Sequence, residues 1–368
     1  MTTFPGKAGL IQRVLPAYRA PFFNALGAAC QSGLGVFAGT PRPEEMIKTI
    51  DSLDQAQLTR GANLHLFSKR AYLCVQIGLL RWLKDWNPDV LIVEANPRYL
   101  RTPAAVRWMQ RRGRPVIGWG LGAPPISGAL SAFRRRRRTR FIQRFDLIIT
   151  YSQTGAAEYA QLGFPEDRIL TAVNAVTPPP AHPLPDRPPL SNGELAQVLF
   201  VGRLQARKQI DNLLDACAEL PEGLQPDLVI VGDGPDRSRL EALAAEVYPR
   251  AAFTGALFGD DLAEQFRAAD LFVLPGTGGL AVQQAMSYGL PIIAAQADGT
   301  QADLVRPDNG CHIRPGDKDA LRAALMTALS DIPMLRQMGA KSYRIVAEEV
   351  NLDQMVAVFV EALNRSVA

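Results

Sequence analysis

Short apolar runs alternate with helix-like amphipathic stretches along this chain, and this alternation constrains its fold more than any other feature. The runs are nearly continuous in Val, Ile and Leu, which is typical of strands buried on both faces of a parallel sheet. The first set of runs is GLIQRVL, LGVFAG, VLIVEA, PVIGWG, DLIITYS and ILTAV. The second set is QVLFVG, DLVIVGDG, AAFTG, DLFVLP and PIIAA. We therefore predict an α/β protein with helices covering parallel sheets.

A proline-rich segment separates the two sets. TPPPAHPLPDRPPLSNGE, residues 177–194, cannot form a central strand or a helix interior, so we interpret it as an interdomain linker. The predicted organisation is an N-terminal domain over 1–176, a C-terminal domain over 195–350, and a last helix over 351–368 that packs back on the N-terminal domain. Both domains are predicted to be Rossmann-like and doubly wound, with ligands bound at the carboxyl ends of the strands in a central cleft.

Net charge, cysteine spacing and the lengths of apolar runs limit the classes of protein to which this chain can belong. The formal net charge of the 368-residue chain is only +4, which by itself argues neither for nor against nucleic acid. The four cysteines follow no metal-ligand or disulfide spacing, so we expect buried thiols in a reducing cytosol. The N-terminus lacks the pattern of a signal peptide, and no stretch reaches the roughly 20 apolar residues of a membrane span. Any membrane contact is therefore expected to be peripheral.

The segment VGRLQARKQ carries the first candidate site residues. It ends a predicted strand with Gly202 and Arg203 and places Lys208 close to the start of a helix. Two cations beside a helix start form a site suited to a diphosphate, and they would stabilise a departing nucleoside diphosphate. The alternative is that both are solvated basic residues on a loop.

Two glycine-rich turns follow, in VGDGPDRSRLEAL and in LPGTGGLAVQQAMSYGLPII. Glycine allows a tight turn and a close approach of backbone to a ligand, and free N–H groups at a helix start bind phosphate. The predicted donor-binding residues of these turns are Gly232, Gly234, Gly276, Thr277, Gly278, Gly279, Leu280 and Gln284. Ordinary turns of an α/β fold are the alternative.

The order of these segments resembles the C-terminal domain of GT-B glycosyltransferases, in particular the retaining family 4 (glycosyl transferases group 1). The resemblance covers most of Val198 to Gly316. It implies a nucleotide diphosphate sugar as donor, bound without metal or other cofactor, with Arg203 and Lys208 holding the diphosphate. It also implies transfer with retention, in which the leaving phosphate accepts the proton of the acceptor.

The chain departs from this family at three acidic positions. The family usually has two glutamates in an E-x7-E arrangement, where this chain has Gly276 and Gln284, and Gln301 stands where an acidic residue is expected. Glutamine keeps hydrogen-bonding capacity but loses the charge. Two hypotheses stay open: an enzyme with a different donor, or a homologue that has lost activity and binds a nucleotide sugar or a partner.

The first domain supplies the predicted acceptor side of the cleft. RVLPAYRAPFFNAL resembles the opening of a subset of the family, and the ends of two later strands carry EANPR and GWGLGAPP. The predicted acceptor-side residues are Pro16, Tyr18, Arg19, Glu94, Asn96, Arg98, Gly120 and Gly122. Glu94 and Arg98 are the candidates that position the acceptor hydroxyl, and a strand-end ion pair is the alternative role of both. Many relatives have a histidine where this chain has Leu121, and we expect His65, His182 and His312 not to be catalytic.

An arginine run, FRRRRRTRFIQRF, has three alternative interpretations. Arg134, Arg135, Arg136, Arg137 and Arg138 form with the interleaved phenylalanines a basic amphipathic stretch. Such a stretch binds an anionic membrane surface, binds RNA, or is a solvated face; we favour the membrane because no nucleic-acid-binding motif accompanies the run.

The sequence thus predicts a glycosyltransferase that moves a hexose-type sugar to a glycan or lipid-linked acceptor in cell-surface polysaccharide or glycolipid synthesis. Its expected location is cytoplasmic, peripheral on the inner face of the plasma membrane, without a nucleic-acid partner.

Overall fold

The computed structural model describes residues 2–45, 47–67, 72–128, 130–191, 193–278, 280–297 and 301–368. The chain folds into two compact units, one formed by Met1–Val176 with Leu352–Ala368, the other by Thr177–Asn351. Each unit is built on its own parallel sheet covered by helices. The predicted fold class, α/β with two Rossmann-like units, is confirmed.

The first unit contains, within its described residues, a seven-stranded sheet in the order β3-β2-β1-β6-β7-β8-β9, parallel throughout. Its strands are β1 (Ala8–Val14), β2 (Leu34–Gly39), β3 (Gln57–Arg60), β6 (Val90–Glu94), β7 (Val116–Gly120), β8 (Leu147–Thr150) and β9 (Ile169–Thr171). The central strands are buried on both faces, as their unbroken apolar runs predict.

Helices cover both faces of this first sheet. They are α1 (Ala20–Ala29), α2 (Leu79–Trp86), α3 (Thr102–Gln110), α4 (Ser131–Ile142), α5 (Gln153–Gln161) and α12 (Leu352–Val367). On one face α12 joins the core, where Phe359 packs against Phe22 and Trp119 with ring centroids 4.8 Å and 5.0 Å apart. On the other face α2 and α3 pack with Phe145 in a second apolar cluster. The last helix of the chain therefore belongs to the core of the first unit.

The second unit has, in the part of it that the structure describes, a six-stranded parallel sheet in the order β12-β11-β10-β13-β14-β15. Its strands are β10 (Gln197–Val201), β11 (Asp227–Val231), β12 (Ala251–Gly255), β13 (Leu271–Leu274), β14 (Ile292–Ala295) and β15 (Gly310–Ile313). Its helices are α6 (Ile210–Ala218), α7 (Arg237–Val247), α8 (Gly259–Ala268), α9 (Ala281–Ser287), α10 (Lys318–Leu329) and α11 (Ile332–Arg344).

The proline-rich segment is bound to the second unit. His182 stacks on Tyr288 with ring centroids 4.5 Å apart, and Tyr343 donates to the carbonyl of His182. Arg187 donates to the carbonyls of Phe266 and Ala269 at 3.0 Å and 2.8 Å. These contacts fix an extended chain, which has no helix or strand in its described residues 177–191 and 193–194.

Two features of the fold differ from the sequence-based expectations. An antiparallel hairpin of β4 (Ala62–Leu66) and β5 (Leu73–Ile77) interrupts the strand–helix alternation; β4 is partly exposed, and β5 buries Cys74 and Gln76. The expectation of buried thiols is wrong for Cys311, which is exposed, whereas Cys30, Cys74 and Cys217 are buried. Cys311 lies on β15, at the edge of the sheet in the described strand order.

Candidate functional site

Three turns converge at the carboxyl edge of the second sheet. Strand β10 lies between β11 and β13, so the segments that follow these strands are neighbours in space. We call this region the β10 edge and define it as residues 202–208, 232–235, 275–278 and 280–284. Ligands of doubly wound sheets bind at such edges. The structure therefore brings together the three segments that the sequence singled out.

The glycines of the β10 edge allow backbone to pack directly on backbone. A Cβ on Gly232 would lie 1.9 Å from the carbonyl oxygen of Gly202, and one on Gly234 would lie 2.1 Å from that of Leu204. A Cβ on Gly276 would lie 2.2 Å from the carbonyl oxygen of Arg207. Contacts this short exclude any side chain. Gly276 is thus required by the local packing, and a glutamate at this position does not fit the loop as it is folded here.

Lys208 links two segments of the β10 edge. It ends the short 3-10 turn Ala206–Lys208, and its side chain is buried. Its Nζ donates to the carbonyl oxygens of Thr277, at 3.0 Å, and of Gly278. Burial, reinforced by the neighbouring Arg207, lowers the pKa of Lys208 to about 8. The ammonium is therefore held beside the glycine loop, where a phosphate would compete with two carbonyls for its protons.

Arg207 is a cation of this site that the sequence reasoning missed. Its Nη1 donates to the same carbonyl of Thr277 at 3.2 Å, and its backbone carbonyl accepts from Thr277 N–H at 3.1 Å. Its position one residue before Lys208 is the signal that could have indicated it. Arg203, at the end of β10, is exposed. Arg207 and Lys208 thus both contact the glycine loop, and Arg203 is an exposed residue of the same turn.

The remaining predicted donor residues lie around this loop. Leu280 precedes the short helix α9 and is 38% exposed, while Gln284 is half-buried on that helix. Gln301 is buried, and its Oε1 has no partner among the described residues. Gly279 lies outside the described residues.

The carboxyl edge of the first sheet carries the predicted acceptor residues. We call it the β6 edge and define it as residues 13–19, 94–98 and 120–122, which follow the adjacent strands β1, β6 and β7. Glu94 ends β6, and its Oε2 accepts from the backbone N–H of Arg13. Burial raises the pKa of Glu94 to about 7, although the Arg13 N–H and the charges of Arg13 and Arg19 act in the opposite direction.

Glu94 does not form the strand-end ion pair that was its alternative role. Among the described residues no basic side chain lies within ion-pair distance of it, and the Arg13 guanidinium pairs instead with Glu45 at 2.9 Å. A carboxyl that titrates near neutral pH and lacks an ion-pair partner is suited to bind and orient a hydroxyl group.

Arg19 is a buried cation at the same edge. Its side chain is only 9% exposed, and its Nη2 donates to Asn174 Oδ1 at 3.1 Å. The guanidinium carbon lies 5.3 Å from the ring centroids of both Trp119 and Tyr151, within cation–π distance. Its Nη1 is buried and has no hydrogen-bond partner among the described residues.

The other predicted acceptor residues shape the backbone of the β6 edge. Asn96 Oδ1 accepts from the N–H of Arg98 at 3.1 Å and closes a tight turn after Glu94. Tyr18 is 49% exposed. Pro16 precedes the 3-10 turn Ala17–Arg19. Gly120 and Gly122 approach α5, since their Cβ atoms would lie 2.5 Å from Tyr159 Oη and 2.3 Å from Glu158 Oε2, respectively.

None of the three histidines, all of them in described segments, belongs to either edge. His65 contacts Tyr72 at 2.9 Å, His182 stacks on Tyr288, and His312 contacts the carbonyl of Val305 at 3.0 Å. Leu121, where many relatives have histidine, is 51% exposed.

The arginine run forms helix α4, and its members differ in their surroundings. Arg138 reaches back and donates to the carbonyl of Pro124 at 2.8 Å, so it is not a free surface cation. Its four predecessors in the run are exposed. Within the described residues no helix has the length and apolarity needed to cross a bilayer, and no cluster of three metal-ligating side chains was found.

Comparison with known proteins agrees with this geometry. Residues 186–345 match the family described as Glycosyl transferases group 1, and residues 49–175 match the Glycosyl transferase 4-like domain. Each of the two units therefore contains a region that matches a glycosyltransferase family model.

Individual relatives show where the similarity is strongest. The sulfoquinovosyl transferase SQD2 of Arabidopsis thaliana is 38% identical over 151 residues, which are 39% of this chain and 28% of that protein. The chain thus covers less than a third of that relative's length. The lipopolysaccharide core biosynthesis glycosyltransferase LpsE of Rhizobium meliloti is 23% identical over 78% of this chain and 90% of its own length. The Anabaena protein Alr3699/HepE, solved in complex with UDP, has a TM-score of 0.70 and 17% identity over 99% of this chain and all of that chain. This last likeness concerns the fold.

Proposed function

We propose that this protein transfers a hexose-type sugar from a nucleoside diphosphate sugar to a glycan or lipid-linked acceptor, with retention, in the synthesis of a cell-surface polysaccharide or glycolipid. The observation that carries the proposal is the position of Lys208, whose ammonium is held at the glycine loop of the β10 edge. Arg203 and Arg207 add positive charge to the same turn. Cations held in a partly buried site stabilise the charge that develops on a leaving diphosphate.

The proposed reaction breaks the bond between the sugar C1 and the diphosphate oxygen. The acceptor oxygen forms its bond to C1 on the same face, and its proton passes to the leaving diphosphate. In this scheme Lys208 stabilises the departing oxygens. Glu94 accepts a hydrogen bond from the acceptor hydroxyl and orients it, and the charge of Arg19 favours the ionised form of Glu94.

The names of relatives support the substrate class. LpsE is named for lipopolysaccharide core biosynthesis, and Alr3699/HepE was solved with UDP. We accordingly propose a nucleotide sugar as donor, no metal or other cofactor, and work on the cytoplasmic face of the membrane. Helix α4 would make the peripheral contact with anionic lipid.

A second function is favoured by one observation. The resemblance implies a glutamate at the position of Gly276, where the folded loop leaves no room for a side chain. A homologue that binds a nucleotide sugar without turning it over would tolerate the lack of this glutamate.

One experiment separates the two functions. UDP- and GDP-linked hexoses are screened by thermal shift, and each stabilising donor is then assayed for hydrolysis and for transfer to membrane extracts. Ligands that bind only the native state raise the midpoint of unfolding. Stabilisation with turnover supports the transferase; stabilisation without turnover supports the binding protein; no stabilisation by any donor contradicts both.

A further inference from the structure

A basic groove lies between α3 and α4 in the first unit, and Pro97 is the residue of the β6 edge that is among its lining residues. Its cavity has a volume of about 340 Å³. Five arginines line it: Arg107, Arg136, Arg137, Arg140 and Arg144. The four arginines on α4 and the turn after it follow helical spacing, so they share one face. Arg134 and Arg135 belong to the same run but do not line the groove.

The positive charge of the groove has no counter-charge in the described structure. None of these five guanidiniums forms an ion pair with a carboxylate of the described residues. The stretch from residue 98 to 145 contains thirteen arginines and no aspartate or glutamate. Like charges gathered around one cavity repel one another, and a bound anion relieves this repulsion. Guanidinium groups match the geometry of phosphate oxygens with paired hydrogen bonds.

Apolar side chains make the groove amphiphilic. Pro97, Pro103 and the buried Phe141 line it together with the arginines. Phe133 lines it as well and is 65% exposed, and the nearby Leu130 is 74% exposed. Exposed apolar groups beside arginines are typical of surfaces that enter the interface of a bilayer. A free phosphate would leave these side chains in water.

We propose that the α3–α4 groove binds the headgroup of a membrane lipid that carries a phosphomonoester or diphosphate, while Leu130 and Phe133 enter the acyl layer. Several guanidiniums around one cavity favour a headgroup with more than one negative charge over a singly charged phosphodiester. The proposal deepens the membrane contact of the proposed function and rests on it. Pro97 lies between Asn96 and Arg98, so a bound headgroup touches the turn that carries predicted acceptor residues.

The test compares two pairs of arginines on the same helix. Vesicles of phosphatidylcholine with phosphatidic acid, or with phosphatidylglycerol at matched surface charge, are floated with wild-type protein, with R136Q/R137Q and with R134Q/R135Q. Both variants lose the same charge, but only the first alters the groove. We expect wild type to prefer phosphatidic acid, the groove variant to lose about tenfold or more in affinity, and the control to lose less than about threefold. R107Q, on α3, is expected to weaken vesicle binding although it leaves the arginine run of α4 unchanged.

Further arms distinguish the source of the anion. F133S is expected to weaken vesicle binding but not the binding of pyrophosphate in solution, since only the lipid offers an acyl layer. Equal losses of vesicle affinity in R136Q/R137Q and R134Q/R135Q would overturn the groove as the binding site and would indicate a diffuse electrostatic contact. Groove-dependent binding of single-stranded RNA that excludes vesicles would overturn the lipid as ligand. A wild-type protein that binds no vesicle would overturn the membrane contact as well, while nucleotide-sugar turnover would still stand.

Discussion

The β10 edge and the β6 edge occupy corresponding places at the carboxyl ends of two parallel sheets, but they are built differently. At the β10 edge the contacts are mostly between backbone atoms, and glycine at three positions permits them. At the β6 edge they involve side chains that are distant in sequence, such as Arg19 with Asn174 and Arg13 with Glu45. The first site depends on close chain packing, and the second depends on charges held in partly buried surroundings.

This difference has a consequence for what each edge tolerates. A site made of backbone keeps its shape when exposed side chains change, but it fails when a single Cβ is added. A site made of buried ionisable groups responds to pH and to the loss of a charge. The following predictions test this contrast.

The largest expected effect is on catalysis at the β10 edge. K208A removes the buried ammonium, and kcat/KM for the nucleotide sugar should fall by about 100-fold or more, as for the loss of one preorganised charge-stabilising group. K341A, an exposed lysine of the same unit, is the matched control and should change little. The measurement is steady-state kinetics with donor affinity by calorimetry. Unchanged kcat/KM in K208A would remove the basis of the proposed function.

The next effect is on stability at the same edge. G276A places a Cβ 2.2 Å from the carbonyl oxygen of Arg207 and should destabilise the fold by about 1–3 kcal/mol, the usual cost of overpacking. G223A is its control, because a Cβ there meets nothing within 4 Å. Denaturant unfolding measures both. G276E is expected to be worse than G276A, so it would not restore the glutamate of the family; a G276E protein of wild-type stability would refute the packing argument.

The smallest expected effect is at the β6 edge and is best seen in the pH profile. With pKa values of about 7 for Glu94 and about 8 for Lys208, kcat/KM should rise as Glu94 ionises and fall as Lys208 loses its proton. E94Q should lower kcat/KM about tenfold at pH 7.5 and abolish the acidic limb, since an amide orients a hydroxyl without titrating. The alkaline limb should persist in E94Q.

Stability gives an independent check of the Glu94 environment. Its pKa is raised in the folded state, so the folded protein binds this proton more tightly and loses stability as the pH rises from about 4.5 through 7. E94Q should therefore gain stability over wild type at pH 8 but not at pH 4. In the kinetic experiment, an acidic limb of the kcat/KM profile that survives in E94Q would show that another group is responsible for it.

Much of the β10 edge could be predicted because its determinants are local. Gly202, Gly232 and Gly276 follow apolar runs directly, and the carboxyl ends of adjacent parallel strands lie at one edge. The sequence did not indicate that Gly276 is needed to let the loop pack on Arg207. That reason appears only when the two segments are side by side.

At the β6 edge the residues were predicted but not their partners. Glu94 was selected as a strand-end carboxylate, yet neither its hydrogen bond from Arg13 N–H nor its raised pKa follows from the motif EANPR. Arg138 was grouped with its four predecessors, although in the structure it donates to Pro124 and is separate from the exposed arginines.

The sequence by itself determined the α/β class, the order of most strands and helices along the chain and the segments that form the two edges. These follow from apolar periodicity and from turn residues, which act over a few neighbouring positions. Only the tertiary structure decided which side chains α12 packs against, the contacts of Lys208 and the sorting of the arginines between groove and surface. The physical reason is that burial, pKa and pairing depend on segments far apart in the sequence, such as Arg19 and Asn174, which are separated by 155 positions and which no local pattern encodes.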